Sequence, residues 1–304
     1  TAYLLDHGID QVVGFSRHED WSRIPEAYRD RIRFLKGDIG DLPAVQQALE
    51  TSGADRIIHL AAFQSPDCQA NPLLGFDVNV QGTANLFHAA AGMKKQIERF
   101  VFASSAAVYG PRDLYPGEEV DESGAYLPPN LYGYWKTSGE GMAQAYQLET
   151  GVPTVSLRLA TTYGPGRDKG LTSAPTTALK AASLGCPYAM PYQGREHYHF
   201  VDDVGAGFAQ AATEPFEGYG AFNLRGKTYP VKDFCNLLSE VSGGEISIAE
   251  DATRMPFVCD LSESAIVKTF PAMPRTRLRD GIERSLDCFG KAIAEGHLTK
   301  LDLN

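Results

Sequence analysis

The chain has 304 residues, 43% hydrophobic and 22% charged, enough to bury a full core in one large domain or two unequal ones. A net charge of −10 argues against a general nucleic-acid binder, and no apolar run approaches the ~20 residues needed to cross a bilayer. The five cysteines (Cys68, Cys186, Cys235, Cys259, Cys288) show no C-x-x-C spacing, which reads as reduced thiols in a cytoplasmic protein without a structural metal.

In chain order, TAYLLDHG (1–8) reads as the last turns of an amphipathic helix with Gly8 as its C-cap, so a first strand and turn are expected upstream of residue 1. Apolar β-rich runs then alternate with helical patterns: strand 11–16, strand 32–36, helix 42–51, strand 56–61, helix 74–92, strand 98–103, helix 131–150 and strand 153–160. Near-continuous apolar strands such as RIIHLAA and RFVFASS predict an α/β fold, a doubly wound parallel sheet of Rossmann type covered on both faces. Ligands of such sheets bind beyond the C-terminal strand ends. The residues at those ends are small or polar: Ser16-Arg17, Gly37-Asp38, Ala61-Ala62, Ser104-Ser105 and TTYGPG at 161–166.

After residue 165 the pattern becomes irregular, with short strands near 187–190, 197–201, 219–223 and 244–248 and helices near 202–213, 231–241 and 278–294. The expected division is residues 1–165 for dinucleotide binding and 166–304 mainly for a smaller substrate lobe, some segments returning to the first part. His197 and His199 share one strand face, but no ligand set is completed around them.

The stretch NLYGYWK (130–136) places Tyr132 four residues before Lys136, so on a helix the two lie on one face. Helix is expected, because Pro128-Pro129 stop any earlier one and Asn130 can cap the new one. A phenol titrates near pH ~10, and a neighbouring ammonium would help it act as a base nearer neutrality. The pair alone fits equally a structural tyrosine beside a solvated lysine.

The context of that pair decides. GDIGD (37–41), IIHLAA (57–62), Asn71-Pro72, NVQGTANL (79–86), RFVFASSAAVYG (99–110), YGYWK with Glu140 following, LRLATTYGPG (157–166), REHYHFVDD (195–203), FNLRG (222–226) and DLSESA (260–265) occur in one order along the chain. In that order the chain resembles the extended short-chain dehydrogenases/reductases of the nucleotide-sugar epimerase/dehydratase type, from residue 1 to about 295.

The resemblance implies a nicotinamide cofactor whose pyrophosphate sits on a Gly-rich turn upstream of residue 1. It implies that Asp38 accepts from the adenine amino group, that Leu60, Ala61 and Ala62 pass under the cofactor, and that Ile39, Gln64, Asn79 and Ala103 also line its groove. Tyr132 is implied as general acid/base, Lys136 as the residue that holds the ribose hydroxyls and lowers the phenol pKa, and Ser105 as the hydrogen-bond partner of the substrate oxygen. Thr161 stands where related enzymes often carry an asparagine on the substrate diphosphate, and Arg195 matches an arginine that grips phosphate. Trp135 replaces the small residue that usually precedes the lysine.

Ala106-Ala107 occupies the place of the acid and base of sugar 4,6-dehydratases, and alanine can transfer no proton. The expected activity is therefore epimerisation or oxidation of a sugar, with a nucleotide sugar, free sugar or sugar acid as substrate. A non-catalytic cofactor-binding protein is the alternative of another class. The second strand ends in Ser16-Arg17 where an NAD site would place a carboxylate, so NADP is expected over NAD. Helices 74–92 and 131–150 are expected to form a homodimer interface, burying Leu86, Phe87 and Met142.

Overall fold

The computed structural model describes residues 1–22, 24–93 and 96–303. Helix α1 (Ala2–Asp6) leads into β1 (Val12–Ser16), a 3-10 turn, β2 (Ile32–Lys36), α2 (Leu42–Ser52) and β3 (Arg56–His59). Two short helices, α3 (Ser65–Ala70) and α4 (Pro72–Phe76), run through a π-helical turn, Asp77–Gln81, into α5 (Gly82–Gly92). There follow β4 (Arg99–Ser105), α6 (Leu131–Thr150), β5 (Thr154–Leu159) and β6 (Thr161–Tyr163). The C-terminal half contributes α7 (Ala174–Ser183), β7 (Tyr188–Gln193), β8 (Arg195–Phe200), α8 (Val201–Thr213), β9 (Tyr219–Asn223), β10 (Lys227–Pro230), α9 (Val231–Ser242), β11 (Ile246–Arg254), α10 (Ser264–Thr269) and α11 (Leu278–Ala294).

The central sheet has the order β3-β4-β5-β9 with every pairing parallel, and β1 and β2 form a second parallel pair. β9 thus brings the C-terminal half back into the first sheet. The lobe holds a sheet β10-β8-β6 and a pair β11-β7. Burial explains the strand composition: Phe100, Val101, Phe102, Val155 and Leu157 are at most 2% exposed, with helices packed against them.

The helix signals act where the sequence places them. Asp41 caps α2, which stops at left-handed Gly53, and Asn130 caps α6 by accepting from Gly133 N at 3.0 Å. Two glycines then set how closely α6 approaches β4. A Cβ on Gly139 would stand 2.3 Å from Phe102 Cζ, and one on Gly133 would stand 2.2 Å from the Ala107 carbonyl oxygen. Any side chain there would push Tyr132 and Lys136 off the strand end.

Several expectations are corrected. The single helix 74–92 is three segments, because the π turn inserts its extra residue beside Asn79. Strand 56–61 stops at His59, and α3, α7, β6 and β10 carry too weak a periodicity to be read in advance. Leu86 and Phe87 are not interface residues: both are buried in the chain's own core, Phe87 stacked on Phe100 at 4.3 Å. The exposed apolar side chains on these helices are Leu73, Leu74, Phe76, Leu131, Tyr134 and Leu148.

Candidate active site

Ser105 ends β4, while Tyr132 and Lys136 lie one turn apart on α6, packed against that strand end. Lys136 Nζ donates to the Ala103 carbonyl at 2.6 Å and sits 5.7 Å from the Tyr132 ring centroid and 5.0 Å from that of Phe102. The Ser105 hydroxyl donates to the Leu159 carbonyl at 3.5 Å, accepts from Ala107 N at 3.1 Å, and acts on the Tyr132 phenol by lowering its pKa. The three sequence-predicted catalytic residues therefore converge.

Burial sets the electrostatics. It pushes the Tyr132 phenol up to about 12, against the Ser105 hydrogen bond and the positive charge of Arg167. It pulls the Lys136 ammonium down to about 8, against the charges of Cys68 and Glu140. The positive charge of Arg167, which the sequence reading did not single out, also acts on the phenol, while Lys136 lies over the Tyr132 ring and donates to the Ala103 carbonyl.

Ser104 is not interchangeable with Ser105. Its hydroxyl donates to buried Glu140, whose carboxylate also accepts from Arg158 and Tyr126. Arg158 contacts Tyr109, and Tyr109 donates to Asn223. Ser104, Arg158 and Asn223 are cross-strand neighbours in register, so this network binds β4, β5 and β9 under α6.

The residues expected to line a cofactor groove are spread along the strand ends. Leu60 and Ala61 are exposed and Ala62 half-buried just after β3. Asp38 is exposed and accepts from Gly40 N at 2.9 Å, and Ile39 packs against Gly82. Gln64 is the N-cap position of α3. Asn79 is buried, its amide bracketing Phe63 by accepting from its N–H at 2.7 Å and donating to its carbonyl at 3.0 Å. It shapes the loop after β3 from beneath. Ser16 donates to the His18 carbonyl, and the exposed Arg17 guanidinium lies 5.9 Å from the Phe63 ring centroid.

These residues fit a dinucleotide. Lys136 is 5% exposed yet makes one hydrogen bond, leaving donors of a buried ammonium for a pair of ribose hydroxyls. Small side chains after β3 leave the backbone open to a flat ring system.

Two substrate expectations change. Thr161 is fully buried and donates to Glu196, so its hydroxyl is spent inside the lobe. Arg195 is more than half exposed but is paired with Asp260 at 2.6 Å, and Asp260 also takes Arg112 at 3.2 Å. His197 and His199 are buried neutral imidazoles bonded to Thr228, Leu224, Arg225 and Ala160. Arg167, half-buried just after the TTYGPG run, escaped the sequence reading, and its charge acts on the Tyr132 phenol.

A family profile described as the NAD dependent epimerase/dehydratase family matches residues 1–224. An uncharacterised protein of Methanocaldococcus jannaschii is 29% identical over 95% of this chain and 91% of its own length. The dTDP-glucose 4,6-dehydratase 1 of Escherichia coli is 28% identical over 81% of this chain and 73% of its own length. The crystal structure of Thermus thermophilus UDP-glucose 4-epimerase complexed with NAD has a TM-score of 0.77 at 24% identity, covering 94% of this chain and 93% of that one. With the family matched over residues 1–224 and a parallel Rossmann-type sheet carrying the strand-end residues, the chain belongs to the NAD-dependent epimerase/dehydratase family, the enzymes of the extended short-chain dehydrogenase/reductase type.

Proposed function

We propose that this protein is an NAD(P)-dependent nucleotide-sugar epimerase or oxidoreductase working through Ser105, Tyr132 and Lys136, and not a 4,6-dehydratase. The observation that carries the reading is the convergence of those side chains, Lys136 anchored on the Ala103 carbonyl 5.7 Å from the Tyr132 ring centroid, at the end of the strand that Ser105 closes. When bound, the nicotinamide supplies a hydride acceptor and donor. Tyr132 takes the proton of the reacting hydroxyl or returns it, Ser105 orients that oxygen, and Lys136 holds the ribose hydroxyls. Ala106 and Ala107 are buried and apolar, so the two proton transfers of a water elimination have no side chain at that place.

Ser16 and Arg17 support NADP over NAD, because a guanidinium and a hydroxyl suit a 2′-phosphate. In sequence Arg17 is followed by Glu19 and Asp20, but these carboxylates are engaged by Trp21 and Ser22. The exposed apolar side chains of α4 and α6 support a homodimer built on those helices. A small-molecule substrate at the strand ends and a cytoplasmic location complete the reading, the latter supported by five cysteines that are all free thiols.

A second reading, a dehydrogenase of a free sugar or sugar acid, is favoured by Thr161, whose hydroxyl is turned onto Glu196. One experiment separates the two. Full-length protein is offered nucleotide sugars and free sugars with either cofactor, absorbance is followed at ~340 nm, and products are separated. An epimer without net reduction supports epimerase, a ketone or lactone with stoichiometric reduction supports dehydrogenase, and a 4-keto-6-deoxy product sinks the exclusion of dehydratase.

A further inference from the structure

Arg195 opens β8, and the one hydrogen bond of its side chain among the described residues runs from Nε to Asp260 Oδ1 at 2.6 Å. The side chain is 56% exposed. Held by Nε alone, the guanidinium keeps both terminal nitrogens unbonded among the described residues, and that end is the fork able to take two oxygens of a phosphate at once.

Asp260 is itself fixed from two sides. Its second carboxylate oxygen accepts from Arg112 Nε at 3.2 Å, while Arg112 gives Nη1 to the Tyr115 carbonyl at 2.7 Å and Nη2 to the Gly117 carbonyl. Every nitrogen of Arg112 is thus engaged. The Asp260 main chain is held as well, its carbonyl accepting from Val120 N at 2.7 Å, and the residue is 9% exposed. With both oxygens taken, the carboxylate is kept from turning onto the terminal nitrogens of Arg195. Two guanidiniums share one carboxylate, so the three side chains together carry one positive charge.

The same segment adjoins the catalytic tyrosine. Residues 257–259 and Leu261 pack with residues 106–109, Tyr115 and Val120 in one buried cluster, and Tyr132 packs against it. Asp260 therefore leaves this cluster at the point where the loop before α6 meets β8 of the lobe.

We infer that Asp260, braced by Arg112, is a positioning residue that presents the terminal nitrogens of Arg195 to a phosphate of the substrate. The inference rests on the reading of this protein as a nucleotide-sugar enzyme. An ion pair that merely fastened the loop to the lobe would act on stability and on every ligand alike. A positioning carboxylate acts through Arg195 and on phosphate-bearing ligands alone.

The test is a double-mutant cycle on ligand binding, measured by calorimetry on full-length protein with UDP and dTDP as probes and uridine and thymidine as their phosphate-free counterparts. Arg195→Ala should weaken the better-bound diphosphate by about 10–10²-fold, the scale of a charged hydrogen-bonded contact. Asp260→Asn should weaken it by about tenfold, and Asp260→Glu should recover part of that loss. In the Arg195→Ala background Asp260→Asn should cost nothing further, and the nucleosides should bind all variants alike. Arg112→Ala should weaken the diphosphate less than Asp260→Asn does. Fully additive losses at Asp260 and Arg195, an equal loss on the nucleoside in a folded Asp260→Asn protein, or diphosphate binding that is independent of Arg195 overturns the inference. Turnover tells this apart from the catalytic reading: a Tyr132→Phe protein that keeps its turnover sinks that reading, while a coupling measured by binding leaves the Asp260 assignment standing.

Discussion

Glu140 and Arg158 form an ion pair in which Nε donates to one carboxylate oxygen at 2.9 Å and Nη2 to the other at 2.8 Å, with both side chains at most 2% exposed. The pair ties α6, which carries Tyr132 and Lys136, to β5 at the centre of the sheet. Glu140→Ala should lower stability by about 3–5 kcal/mol, because it leaves a buried guanidinium uncompensated. Glu140→Met with Arg158→Met should cost less than either single change. Urea unfolding of the three variants measures this, and strictly additive losses would contradict it.

Tyr132→Phe should lower turnover by about 10²–10⁴-fold while leaving cofactor affinity nearly unchanged. Lys136→Ala should damage both, since its ammonium is assigned to the ribose as well as to the site. Steady-state kinetics with fluorescence titration of the reduced cofactor distinguishes the two patterns.

Glu196 supplies a pH dependence. Burial raises its carboxyl from 4.5 to about 7, more than the Thr161 and Cys259 contacts lower it. The folded state therefore binds more protons than the unfolded one between those values, so this contribution is fully present below pH ~4.5 and is lost as pH rises to ~7. The loss amounts to about 3 kcal/mol on the scale of ~1.4 kcal/mol for each tenfold change. Glu196→Gln should flatten this component of the stability profile over that window, as denaturation at stepped pH would reveal; an unchanged slope would contradict the assignment.

Arg17→Ala should weaken NADP binding far more than NAD binding, by about tenfold or more for a lost charge-assisted contact. Competitive titration of the two cofactors tests it. A wild-type preference for NAD, or equal weakening of both, removes Ser16 and Arg17 from the cofactor site without touching the Ser105–Tyr132–Lys136 chemistry.

Sedimentation at micromolar concentration should show a homodimer, and Phe76→Glu or Tyr134→Glu should shift it toward monomer, because each places a charge on the exposed apolar face of α4 or α6. A wild-type protein that sediments only as a monomer would refute the interface.

The local rules of the chain were legible without coordinates. Continuous apolar runs mark β4 and β5 because a strand buried on both faces has no polar side, and the Asn130 cap with a four-residue spacing puts Tyr132 and Lys136 on one helical face. Ordered motifs at the strand ends were enough to indicate the family. Only the tertiary structure could decide which polar groups are spent inside the protein. Thr161 and Glu196 meet across 35 residues, Ser104 and Glu140 across 36, and Leu86 and Phe87 turn into the core, although their local patterns are as polar or apolar as those of site residues. Arg167 likewise shows its effect on Tyr132 only in the fold, where the glycine loop makes room for its guanidinium and its Nε is buried without a partner. Periodicity reports on neighbours along the chain; whether a buried donor has found its acceptor depends on contacts between distant segments, and that is settled by packing.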